Sequence, residues 1–173
     1  MDKSNNLFNK IIKLFVISII LIMLDAFTKA WAESALSDGN INIIKDFFYL
    51  SLVHNNGAAF GILENSRIFF CTLTILLAII IEYVYFKLPN DKIYTPLRYD
   101  LILLFAGAIG NLVDRIKNGY VIDFLAFDFG NYSFPRFNVA DIYVCVSAFL
   151  LFLLVMFYYN EEQLSGIIGR KEK

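Results

Sequence analysis

Four apolar stretches constrain this 173-residue chain more than any other feature. The first covers Ile11–Trp31, with Leu14–Leu24 free of charge. The second is Ile68–Phe86, interrupted only by Glu82. The third is Leu101–Val113, bracketed by Asp100 and Asp114. The fourth is Ile142–Tyr159, without a charge. A bilayer core about 30 Å thick takes roughly 20 apolar residues of helix, and lipid leaves the backbone no alternative to internal hydrogen bonding. The third stretch is short, so one or both of its flanking acids lies below the headgroups. The expected spans are 11–31, 68–86, 99–114 and 140–159, in a single integral membrane domain over residues 1–173. Composition agrees: 58% of residues are hydrophobic and 18% charged, against roughly 45–50% and 25% in soluble domains. A net charge of −1 argues against a nucleic-acid partner. One histidine excludes a two-histidine zinc motif, and two cysteines make no disulfide framework.

Lysine and arginine set the orientation. With the N-terminus inside, the inner segments carry Lys3, Lys10, Lys13, Lys87, Lys92, Arg98, Arg170, Lys171 and Lys173. The outer side carries Lys29, Lys45, Arg67, Arg115, Lys117 and Arg136. Nine against six, with Lys29 and Arg115 at helix ends, places both termini in the cytoplasm. The N-terminal run followed by Ala30-Trp31-Ala32 has the outline of a cleavable signal peptide. Asp25 and Lys29 interrupt that pattern and favour a retained anchor. Two outer segments remain, about 32–67 and 115–139. Ile41–His54 reads as one or two strands, and Tyr120–Phe129 with Tyr132–Phe137 as a hairpin around Gly130-Asn131. Both are apolar on both faces, which suits an aromatic-rich sheet lying on headgroups. Lys87–Tyr99, with Pro89 and Pro96, reads as a plain inner loop.

Carboxylates in such a chain need a reason, since one at a helix centre costs about 2.5–3.5 kcal/mol on insertion scales. Asp25 lies roughly 18 Å beyond Lys13 along the first helix, with Lys29 as its partner at i+4. Asp114 and Arg115 end the third helix, where an interfacial anchor is the plain structural alternative. Asn138-x-x-Asp141 reads as an N-cap with an acid in the first turn. Asp123, in Val-Ile-Asp-Phe, has no local structural job. Asp25, Asp114, Asp123 and Asp141 therefore converge near the outer leaflet. Two acids brought together share a proton, as in aspartic proteases. Cys71 and Cys145 read as small core residues, and His54 lacks the orienting partner a Cys/His nucleophile needs. Ala106, Gly107, Ala108 and Gly110 suit close helix packing.

Five blocks then fall in order along residues 14 to 160: Asp25-x-x-Thr28-Lys29; Asn55-x-Gly57-Ala58-Ala59-Phe60; Gly107-Ala108-x-Gly110-Asn111-x-x-Asp114-Arg115; Gly119-x-Val121-x-Asp123-Phe124; and Phe137-Asn138-x-Ala140-Asp141. Together they make the chain resemble the lipoprotein signal peptidases, the bacterial signal peptidase II family. The resemblance implies a membrane all-α fold of four transmembrane helices with a small outer β-sheet cradle on the membrane. It implies an aspartic endopeptidase that removes the signal peptide from diacylglyceryl-prolipoprotein just before the lipidated cysteine, in the plasma (inner) membrane, with its site near the outer leaflet. Asp123 and Asp141 would be the catalytic dyad. Asn55, Gly57, Asn111, Asp114, Arg115, Asn138 and Ala140 would line or support the site, and Asp25 and Lys29 would support it structurally. Ala106 and His54 depart from the family's usual Gly and Arg. No cofactor or metal is expected, since the acid pair supplies both base and acid. The expected partners are the prolipoprotein and membrane lipids, with the enzyme a monomer. The alternatives are a small proton-coupled transporter subunit, which would set its acids near the membrane midplane, and a non-catalytic assembly factor.

Overall fold

The computed structural model describes residues 3–57 and 66–168. Four of its helices are long and apolar enough to cross a membrane: α1 (Lys3–Ala35), α2 (Arg67–Lys87), α3 (Thr95–Lys117) and α4 (Val139–Leu153), the last continued by a π-helical turn over Leu154–Tyr158. A short α5 (Glu161–Ile168) follows. Helix α3 is the centre of the bundle and packs on α1, α2 and α4. Its length corrects the sequence reading. Pro96 belongs to the first turn of α3 and not to a loop, because a proline there gives up no intrahelical hydrogen bond and its φ suits the helix. Both acids bracketing the third apolar stretch therefore lie within α3, and both are buried.

The packing is inside-out, as lipid requires. Phe15, Ile19, Met23 and Phe27 of α1 point outward at successive turns, while Ser18, Asp25 and Lys29 are buried. Cys145 of α4 is exposed, so it is not the core residue its surroundings suggested. Tyr85, Leu88, Tyr94, Leu101 and Tyr159 form one core with Leu14 of α1, and Leu164 and Ile167 of α5 pack against it. A second core, of Ala32, Leu36, Leu50 and Phe124, joins the C-terminal end of α1 to the sheet.

The sheet is antiparallel throughout, in the order β1 (Ile41–Ile44), β2 (Phe48–Asn55), β3 (Val121–Phe129), β4 (Tyr132–Ser133). Ile41–His54 is thus a hairpin that turns at Asp46, which holds φ 56, a left-handed conformation aspartate tolerates. The second hairpin turns at Gly130, with φ 66, and pairs Phe129 with Tyr132. Its second arm is shorter than predicted. Pro135 has no N–H to give a ladder, and β4 ends at Ser133. The chain returns at Phe137, whose carbonyl accepts from Phe124 at 3.0 Å and Leu125 at 2.9 Å. That contact pins the residue before Asn138 against the strand that carries Asp123.

Candidate active site

Asp123 is 2% exposed on the central strand β3. It pairs with Val53 across the sheet, so Asn55, two residues on, shares its face. Asn55 Nδ2 donates to Asp123 Oδ2 at 2.8 Å. The Asn55 carbonyl oxygen is held in turn by the Gly57 N–H at 2.9 Å. His54, on the opposite face, stacks on Tyr120 and lies 3.6 Å from Glu33. The remainder of that sequence block, residues 58–61, lies outside the described residues.

Asp141 arrives from the other direction, in the first turn of α4. The expected cap is present and reciprocal: Asn138 Oδ1 accepts from Asp141 N at 2.9 Å, and Asp141 Oδ2 accepts from Asn138 N at 3.1 Å. With its oxygen committed to the cap, the fully buried Asn138 points Nδ2 at Asp123 Oδ1, 2.7 Å away, and at Asn111 Oδ1, 3.1 Å away. Asn111, from α3, then donates Nδ2 to Asp141 Oδ1 at 2.7 Å. Two asparagines thus tie the two acids into one hydrogen-bonded unit.

Behind this unit lies Lys29, 1% exposed. Its ammonium is 2.8 Å from Asp25 Oδ2, 2.8 Å from Asp114 Oδ2 and 3.0 Å from Asn111 Oδ1, which uses all three of its donors. Asp25 Oδ1 accepts the Ala140 N–H at 2.8 Å, so α1 also caps α4. Asp114 Oδ2 accepts from Ile122 N at 3.4 Å, next to Asp123. Asp114 is therefore a partner of Lys29 and not the helix-end partner of Arg115. Arg115 lies over the Phe70 ring at 5.2 Å and donates to the Asn111 carbonyl at 3.4 Å. The glycines make this approach possible. A Cβ on Gly107 would sit 2.6 Å from the Ala140 carbonyl, and one on Gly110 would sit 2.8 Å from Asp25 Oδ2.

Both acids face one cavity of about 500 Å³. Asn55, Asn111 and Arg115 line its polar side. Phe134, Pro135, Phe137, Ile142 and Val146 line the other. Burial pushes the Asp123 carboxyl up to about 6; the Asn55 amide opposes that shift, the nearby Asp141 charge adds to it, and Asn138 and Lys29 act against it. Every site residue singled out from the sequence belongs to this connected set. The Phe134–Phe137 wall was not foreseen, because an irregular loop beside a proline has no periodicity to read. Nor was a partnerless acid: Asp100 is 4% exposed, and neither of its carboxylate oxygens has a hydrogen-bond partner among the described residues. Also among the described residues, no three His, Cys, Asp or Glu side chains cluster as metal ligands.

Residues 17–157 match the family described as signal peptidase (SPase) II. The lipoprotein signal peptidase of Caldanaerobacter subterraneus subsp. tengcongensis is 43% identical over 144 residues, covering 82% of this chain and 94% of that one. The enzyme of the same name from Clostridium tetani is 41% identical, covering 82% and 90%. That from Francisella tularensis subsp. novicida is 37% identical over 158 residues, covering 88% and 96%. A solved bacterial membrane enzyme superposes with a TM-score of 0.73 at 28% identity over 93% of each chain. A second superposes with a TM-score of 0.73 at 29% identity, covering 85% of this chain and 94% of its own.

Proposed function

The chain belongs to the signal peptidase II family of lipoprotein signal peptidases, and from that premise we propose that it cleaves by an aspartic mechanism, with Asp123 and Asp141 as the catalytic pair. The observation that carries this reading is the shared cavity on which the two acids open, tied together by Asn138 and Asn111. The substrate is a diacylglyceryl-prolipoprotein, cut before its lipidated cysteine. It reaches the site laterally, since both its signal helix and its acyl chains are lipid-soluble.

In this reading Asp123, the more buried of the two, carries the proton of the pair, because burial raises its carboxyl. Both acids accept from two donors; Asp141, half-buried and at the positive end of α4, is in this reading the carboxylate. It takes a proton from water as the oxygen attacks the scissile carbonyl, while Asp123 gives its proton to the carbonyl oxygen. The tetrahedral diol then collapses. Asp141 hands its proton to the leaving cysteine nitrogen, and the diol returns one to Asp123. Asn55, Asn111 and Asn138 hold the carboxylates in register throughout, and Arg115 and Gly57 shape the cavity around them. The sheet end of the bundle faces the outer side of the plasma membrane and both termini face the cytoplasm, as the Lys and Arg distribution supports. One monomer supplies the whole site. The acids cluster at the sheet end of the bundle and not at mid-depth, so nothing favours a transporter.

The test is purified enzyme in detergent with a lipidated substrate. Asp123→Asn and Asp141→Asn should each lower turnover by several orders of magnitude, and the double variant should be hardly worse, because groups acting as a unit lose their joint effect at the first removal. Wild-type-like turnover in either single variant refutes the mechanism.

A further inference from the structure

A second, larger groove of about 750 Å³ begins at the catalytic cluster and runs away from the sheet between α2, α3 and α4. Along α3 its floor is a single helical stripe: Leu97, Leu101, Leu104, Ala108, Asn111 and Arg115. Leu97 to Arg115 is 18 residues, or about 27 Å of helix. Asp141 and Asn111 mark one end. Leu164 and Ile167 of α5 stand across the other, beside Val84 and Val155.

Helix α5 is built to stay there. Asn160 and Gln163 cap it reciprocally, at 2.9 and 3.0 Å. Tyr94 Oη donates to the Gln163 carbonyl at 2.9 Å, and Leu164 and Ile167 pack on the core around Tyr94, Leu97 and Tyr159. No step of the proposed reaction uses α5.

We propose that this groove seats the apolar helix of the substrate's signal peptide and that α5, through Leu164 and Ile167, is the stop that sets how long that helix can be. The inference rests on the family's signal-peptide substrate but not on which acids cut it. The occupant follows from continuity. The signal peptide is the part of the substrate N-terminal to the cut, so it must leave the dyad along an apolar path, and this groove begins at Asp141 and Asn111. The length also fits. Three extended residues before the cut span about 10 Å. The remaining 17 Å or so takes about 11 helical residues, within the 7–15 apolar residues of ordinary signal peptides. Four further residues add one turn, about 6 Å, and drive the helix into Leu164 and Ile167.

The experiment measures kcat/KM for lipidated substrates whose apolar helices differ only in length, about 8 to 20 residues. The readout is the ratio of a long substrate, about 16 residues, to a short one, about 11, which does not depend on the amount of folded enzyme. In the wild type the ratio should be about tenfold below one, the range that pocket misfit produces. Leu164→Ala with Ile167→Ala, which keeps good helix formers in α5, should raise it about tenfold. Leu164→Trp should lower it further. Should the alanine pair not fold, a photoreactive residue at the N-terminal end of the substrate's apolar helix serves as a second measurement in the wild type: it should crosslink to α5. A ratio that stays the same in all three enzymes, or crosslinks to lipid alone, overturns the stop. Failure of the dyad reading looks different: Asp123→Asn would then turn over while the length profile persisted.

Discussion

Asn111 gives its side-chain N–H to Asp141 at 2.7 Å because its side-chain oxygen accepts from the ammonium of Lys29 at 3.0 Å and from Asn138 Nδ2 at 3.1 Å. An asparagine amide has two orientations, and the hydrogen-bond network decides between them. A cation on one side and a carboxylate on the other leave one. Lys29 thereby acts on Asp141 from α1, through a residue of α3, without lying against it. On the proposed mechanism Lys29 is a positioning residue, and Asn111 is the lever it works through.

Lys29→Met should therefore damage both stability and chemistry. It leaves Asp25 and Asp114 buried without their shared cation, the kind of change that costs about 3–5 kcal/mol. Asp25→Asn is milder. Lys29 keeps Asp114 and Asn111 as partners, and the new amide oxygen can still accept from Ala140 N. Its cost should be about 1.5–3 kcal/mol, that of one charge-assisted bond. Thermal unfolding in detergent should rank the wild type above Asp25→Asn and both well above Lys29→Met. Equal losses would mean Asp25 is the sole effective partner of Lys29, as the i,i+4 spacing alone suggests.

Asn111→Ala isolates the lever. Lys29 keeps both carboxylates, so the fold should survive, while Asp141 loses a donor of 2.7 Å. A reacting side chain misplaced by about 1 Å can cost about 100-fold, and kcat should fall by up to about that factor with KM little changed. A fall in KM-linked affinity with kcat intact would place Asn111 in substrate binding instead.

The side-chain contacts that could be read from the sequence were local. The Asn138–Asp141 cap spans three residues and the Asp25–Lys29 pair spans four, so each writes itself in a single helical turn. The joining of Lys29 to Asp114 and Asn111, 82 residues away in the latter case, left no such mark. It depends on α1 and α3 crossing at one depth, which periodicity cannot specify. The start of α3 was missed because Pro96 breaks a helix interior but fits a first turn. The Phe134–Phe137 wall escaped because its conformation comes from where the strands end and not from its own residues. The length of the third apolar stretch required one or both of Asp100 and Asp114 to lie below the headgroups without saying which; the longer α3 contains both, and both are buried.

Gly107→Ala should be a severe change for a single methyl. The added Cβ would meet the Ala140 carbonyl at 2.6 Å and Val144 Cγ2 at 2.8 Å. The first obstacle is backbone in the opening turn of α4, one residue from Asp141, and it can yield only by moving that turn. Overpacking of this kind costs about 1–3 kcal/mol, and a displacement near 1 Å at the dyad can cost about 100-fold in rate. Activity should therefore fall further than melting temperature predicts. Gly39→Ala is the contrast: nothing lies within 4 Å, but its φ of 144 is one alanine rarely adopts, so it should lower stability through backbone strain in a loop and leave kcat unchanged. Equal activity in the two variants would mean that α4 does not need Gly107 to dock.

The pH dependence carries a sign that separates burial from charge pairing. Asp123 is pushed up to about 6 from an ordinary 3.8, with burial the largest cause. Between those two values the folded protein holds a proton that the unfolded chain has released. Stability linked to Asp123 is therefore greatest below about 4, declines as pH rises through 4 to 6, and is level above. The span of the decline is on the order of 3 kcal/mol. An ion-paired carboxylate would give the reverse slope. Melting temperature measured from pH 4 to 8 should fall and then flatten in the wild type, and Asp123→Asn should remove that part of the slope. In the same way, kcat/KM, which reports the free enzyme, should decline as pH rises past about 6, because the proton that Asp123 gives to the carbonyl is then lost. A rise in stability over pH 4 to 6 that disappears in Asp123→Asn would show a carboxylate held ionised by its amide partners, and the proton of the pair would then belong to Asp141.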